Sequence, residues 1–103
     1  MIDINFFKGG LDVQTQRFVI SGRVQGVGFR WTTVQIARRL GVTGTVQNLR
    51  SGQVAVVASG SAEQLAQFQT ALQHPQASPW IDVVDLAVTD LPVHRFTDFS
   101  III

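Results

Sequence analysis

The chain has 103 residues, a formal net charge of +1, 46% hydrophobic and 15% charged residues, and no cysteine. That length serves one domain, and no apolar run approaches the ~20 residues of a membrane-spanning helix. The near-neutral balance excludes a general basic field for nucleic acid, and the missing thiols exclude a disulfide framework, a cysteine nucleophile and a cysteine-ligated metal.

Residues 1–15 hold Asp3, Asp12 and a single lysine, Lys8, and lack the basic start and long apolar stretch of a signal peptide. They read as a poorly ordered N-terminal arm, in which Phe6 and Phe7 are the residues able to pack on a domain running from 16 to 103. Residues 17–21 alternate as a strand, with Phe18 and Ile20 on one face and Val19 on the other. The strand runs into the loop S-G-R-V-Q-G-V-G-F-R at residues 21–30. Residues 30–40 follow as a helix with Val34, Ala37 and Leu40 on one stripe and Gly41 as its stop. A second strand is expected at 43–48, a turn at 49–52, and a third strand at 53–59 with Val54, Val56 and Ala58 on one face. Ser61 with Gln64 forms a capping box for a helix that carries Leu65, Phe68 and Leu72 and ends near His74 and Pro75. Strands at 80–89 and 96–103 complete the chain. The order β-α-β-β-α-β with a short extra C-terminal strand predicts an α+β, ferredoxin-like sandwich, its mostly antiparallel sheet covered on one face by two helices.

The glycine-rich loop carries the chemistry. Glycines at 22, 26 and 28 let the backbone adopt conformations that Cβ-bearing residues resist. Consecutive N–H groups in such a loop converge as an anion-binding concavity. The helix expected from about Phe29 aims its free N–H groups and positive dipole end at the same point. Arg30 adds a planar guanidinium that suits paired phosphate oxygens, and a cation placed against the helix dipole points to an anion nearby. Gln25, Gly26, Val27, Gly28, Phe29 and Arg30 together read as a phosphate cradle, the alternative being turn glycines beside a surface arginine. Read from the residues alone, Asn48 fits an asparagine opening the turn to Gly52.

Residues 22–30, GRVQGVGFR, resemble the first signature of the acylphosphatases. Gly44-Thr45-Val46-Gln47-Asn48-Leu49-Arg50-Ser51-Gly52-Gln53-Val54, closed by Gly60, is similar to the second. Thr45 departs from it, standing where the family carries an aromatic that would pack beside the loop or the core. The resemblance spans residues 16–103 and implies the ferredoxin-like fold. It implies hydrolysis of the carboxyl–phosphate bond of small-molecule acyl phosphates to a carboxylate and inorganic phosphate. Arg30 and Asn48 are then the catalytic residues: Arg30 holds the phosphoryl group with the backbone N–H groups of Gln25 to Phe29, and Asn48 orients the attacking water. The enzyme so implied is a cytoplasmic monomer that needs no metal and no cofactor and engages neither nucleic acid nor membrane. The alternative is a non-catalytic anion- or partner-binding domain of the same fold. A base-stacking sheet is disfavoured, because the middle strands offer Val, Ala, Gln and Thr rather than aromatics among basic residues.

His74 and His94 have no carboxylate pattern around them, and His74 reads as a cation-capable residue at a helix C-terminus. Arg38 and Arg39 read as a solvated helix face. Trp31 and Trp80 read as packing residues, with Trp31 next to Arg30 able to shape the mouth of a pocket.

Overall fold

A computed structural model of the chain describes residues 12–103. The expectations for Phe6 and Phe7 lie outside the described residues. The elements are β1 (Gln14–Arg23), α1 (Phe29–Leu40), β2 (Thr43–Asn48), β3 (Val54–Gly60), α2 (Ala62–Gln73), β4 (Asp82–Leu91) and β5 (Phe99–Ile101). The sheet order is β4-β1-β3-β2-β5, with β5 parallel to β2 and the other pairings antiparallel. This is the expected ferredoxin-like arrangement with an added C-terminal strand.

Alternation places one side chain in two on the covered face of the sheet. Phe18, Ile20, Val46, Val54, Val56 and Ala58 are buried there, against Val34 and Ala37 of α1 and Leu65, Phe68 and Leu72 of α2. Phe68 meets Phe18 edge-on, centroids 5.6 Å apart, and Phe99 at 5.9 Å, so one aromatic run joins β1, α2 and β5. Such pairs add about 0.5–1.5 kcal/mol each beyond their burial. Helix ends follow the sequence signals. Gly41 takes a left-handed φ of 75° past α1, and Val42 N–H donates to Ala37 O at 2.9 Å. Both bonds of the capping box form, Gln64 N–H to Ser61 Oγ at 3.1 Å and Ser61 N–H to Gln64 Oε1 at 2.9 Å.

Several expectations need correction. β1 takes in Gln14 and Thr15, which the sequence assigns to the arm, pairing them with Gly60 and Ser59. Thr15 is buried, shares a 2.7 Å hydrogen bond with Ser59 and accepts one from His94 N–H at 2.9 Å. A polar pair of this kind leaves no mark in a hydrophobic pattern. β5 is shorter than 96–103, since only Gly44, Thr45 and Val46 of β2 offer it partners. β4 begins at Asp82 rather than Trp80 and runs on to Leu91. Trp31 and Trp80 are 54% and 66% exposed, so neither is a core residue. Thr45 alternates with buried Val46 and pairs with Val57 and Ser100, which puts it on the sheet face turned away from the helices rather than beside loop or core.

Arg38 is more than a solvated charge. Its Nη2 donates to Asp98 Oδ2 and to Phe99 O, both at 3.2 Å, clamping the end of α1 onto the start of β5. The Phe99 backbone N–H, and then Arg38, hold the Asp98 carboxyl below its usual value of 3.8. A carboxyl depressed on folding adds stability that is present above its unfolded value and is lost as pH falls through the folded one. Asp98→Asn is therefore expected to lower the neutral-pH melting temperature slightly and to flatten the acid limb, the two proteins converging as pH falls below about 4, as thermal melts between pH 2.5 and 7 would read. An acid limb identical to wild type would show the clamp to be inert.

Candidate active site

The loop between β1 and α1 is pinned at both ends by core residues, Val24 and Phe29, each 1% exposed. β1 carries a bulge between Ser21 and Gly22 before its last pairs with β4, Gly22 with Val83 and Arg23 with Asp82. A Cβ at Gly22 would collide with the Asp82 carbonyl oxygen, so the close approach to β4 requires glycine there. Gly26 and Gly28 take left-handed φ values of 74° and 82° with open space around them, so backbone conformation and not room demands glycine at these two positions.

Gly28 is the residue capping α1, and it supplies no side chain. Its carbonyl accepts Thr32 N–H at 3.1 Å, the first helical bond, which leaves the N–H groups of Phe29, Arg30 and Trp31 without intrahelical acceptors. The first turn of α1 contains no acidic residue to offset the dipole. Arg30, in that turn, is half-buried. Gly26, Gly28, Phe29 and Arg30 line one concavity of about 160 Å³ together with Val24, Trp31 and Ile101. Wider hollows of about 360 and 440 Å³ lie elsewhere and contain neither Arg30 nor Asn48.

Asn48 is the last residue of β2 and shares the helix-covered face with Val46. It pairs across β3 with Val54, and Val54 pairs in turn with Ile20. Asn48 is thus level with Ile20, two strands away, at the end of the sheet from which the glycine-rich loop springs. Its Oδ1 is buried and, among the described residues, accepts no hydrogen bond. Asn48 does not line the 160 Å³ concavity.

Gln25 bridges the two motifs. Its Nε2 donates to Leu49 O at 2.7 Å and to Gln53 O at 2.8 Å. Its side-chain amide is therefore engaged with the β2–β3 turn, and Gln25 is not among the residues lining the concavity. The β2–β3 turn is itself closed by Leu49 N–H to Gln53 O at 2.8 Å and Gly52 N–H to Leu49 O at 3.1 Å. The segment carrying Asn48 and the loop leading to Arg30 are in this way joined by one amide. Sequence reasoning leaves this bridge open; a glutamine flanked by loop glycines is the only hint of it. It also misses Ile101, which reaches the concavity from β5. Among the described residues, no group of three or more His, Cys, Asp or Glu side chains could hold a metal ion.

The acylphosphatase family model matches residues 16–101. The chain is 41% identical to an acylphosphatase of Lactobacillus johnsonii over 92 residues, covering 87% of this chain and 99% of that protein. It is similar to the crystal structure of the acylphosphatase from Bacillus subtilis, with a TM-score of 0.81 and 33% identity over 87% of this chain and 99% of that one. Full-length HypF in its phosphate- and nucleotide-bound form is also similar, with a TM-score of 0.80 and 27% identity over 88% of this chain and 12% of that one.

Proposed function

The chain belongs to the acylphosphatase family of enzymes that hydrolyse acyl phosphates, and we propose that its Arg30 and loop N–H groups hold the phosphoryl group while Asn48 holds the attacking water. The observation that carries this reading is the acid-free N-terminus of α1, whose first residues Phe29, Arg30 and Trp31 line one concavity with Gly26 and Gly28.

Hydrolysis joins a water oxygen to phosphorus and breaks the bond from phosphorus to the carboxylate oxygen. The electron pair leaves with the carboxylate, a good leaving group that needs no strong general acid. One water O–H donates to Asn48 Oδ1, the buried acceptor that no protein group satisfies. The water's lone pair is then free to face phosphorus. An amide cannot take a proton, so the water proton passes to a phosphoryl oxygen of the substrate. What remains for the protein is positioning and charge balance, which suffice for phosphoryl transfer of this kind.

The reading is tested by phosphate release from benzoyl phosphate with and without a chelator. The expected result is release at the same rate in both. Loss of activity in chelator, restored by a divalent ion, would sink the metal-free mechanism, and no release in either would sink the catalytic reading.

Gln25 supplies a second check. Leu49 O and Gln53 O each keep a backbone donor without it, so Gln25→Ala should cost only about 1 kcal/mol of stability. The loss in kcat/KM should be larger, on the order of 10–10²-fold, because loop and strand end are no longer held in one register. A wild-type kcat/KM in Gln25→Ala would detach the bridge from catalysis.

A further inference from the structure

We propose that Trp31 and Ile101 form an acyl-binding wall that favours apolar acyl groups over small or charged ones; this rests on the acyl phosphate reading of the same site. The concavity that contains Arg30 has two kinds of lining. Gly26, Gly28 and Arg30 present backbone and charge, whereas Val24, Trp31 and Ile101 present carbon. Val24 is spent on the core at 1% exposure, but Trp31 and Ile101 remain 54% and 41% exposed. They arrive from different elements, the first turn of α1 and the end of β5, and both line this concavity.

A substrate held by its phosphoryl group must lay its acyl group against some part of the surroundings. Apart from Arg30, no charged side chain among the described residues lines the concavity, so a charged acyl tail would find no partner among them except the arginine assigned to the phosphoryl group. An apolar acyl group instead covers exposed indole and aliphatic surface, which is favourable in proportion to the area removed from water.

In a closed pocket each added methylene is worth roughly 10–200-fold in selectivity. An open wall should give the lower end. The experiment measures kcat/KM for benzoyl phosphate and acetyl phosphate in wild type, Trp31→Ala and Trp31→Phe. Comparing the benzoyl-to-acetyl ratio between variants cancels the different reactivities of the two anhydrides. The ratio should fall about 10-fold in Trp31→Ala and recover in Trp31→Phe. A ratio unchanged in Trp31→Ala, whatever happens to the absolute rates, overturns the wall and leaves the hydrolase reading standing. Should circular dichroism show Trp31→Ala to be unfolded, Ile101→Ala reads the same wall, with the same fall expected and the same unchanged ratio overturning it. Wild-type protein that turns over neither substrate defeats the hydrolase reading and the wall with it.

Discussion

Arg30→Ala is expected to lower acyl phosphate turnover by about 10²–10³-fold or more, the loss that follows removal of one preorganised donor from a charge-stabilising site. Arg30 is charged and able to bind two oxygens at once, which sets that range as a floor. Arg30→Lys should recover little, because a point charge on a flexible stem does not reproduce the guanidinium fork. The stability consequence has the opposite sign. A cation in the first turn of α1 faces the positive end of the helix dipole, and no acidic residue in that turn offsets it. Removing such a charge relieves about 0.3–1 kcal/mol, so the melting temperature of Arg30→Ala should hold or rise. Inorganic phosphate, the product, should protect wild type against thermal unfolding by about 2.7 kcal/mol at one hundred times its dissociation constant, and should fail to protect Arg30→Ala at the same concentration. Near-normal turnover, or equal phosphate protection of both proteins, would remove Arg30 from the site.

What the sequence discloses and what it conceals divide along a physical line. Features written in neighbouring residues are legible. Phe18 and Ile20 alternate into the core, Gly41 stops α1, and Ser61 with Gln64 caps α2, each because the governing interaction spans four residues or fewer. The glycine-rich loop is legible for the same reason, since its left-handed turns and the helix start after it are local events. Contacts that close long loops are not. Arg38 finds Asp98 across 60 residues, and Thr15 finds the His94 backbone across 79. Gln25 reaches Leu49 across 24, with a side chain whose type suits solvent as well as a carbonyl. The exposure of Trp31 runs against the usual fate of a tryptophan, and only the arrival of Ile101 from β5 gives it a neighbour at the concavity. The two motifs could be recognised separately in the chain. Their assembly depends on register: Val54 on β3 sets Ile20 and Asn48 level, and the Gln25 amide ties the loop beyond Ile20 to the turn beyond Asn48.

Asn48→Ala should separate turnover from anion binding where Arg30→Ala abolishes both. Its Oδ1 is buried without a protein donor, and a buried acceptor in that condition costs about 1–3 kcal/mol. A fold retains such a group at a cost when a bound molecule satisfies it, and in this reading the molecule is the attacking water. Truncation removes the acceptor together with its penalty, so the variant should be as stable as wild type to within about 1 kcal/mol. The phosphoryl cradle lies on another loop and is untouched, so phosphate should raise the melting temperature of Asn48→Ala as it does that of wild type. Turnover should fall by about 10²–10³-fold, because an unheld water must find the in-line direction unaided. Asn48→Asp distinguishes the acceptor from its surroundings: it keeps the oxygen but brings a negative charge toward the phosphoryl group, and should lose turnover as well as part of the phosphate protection. Phosphate protection lost in Asn48→Ala together with activity would place Asn48 in the cradle, and a melting temperature many degrees lower would make it a folding residue. Turnover collapsing while phosphate protection persists is the outcome expected if the residue serves the water and not the anion.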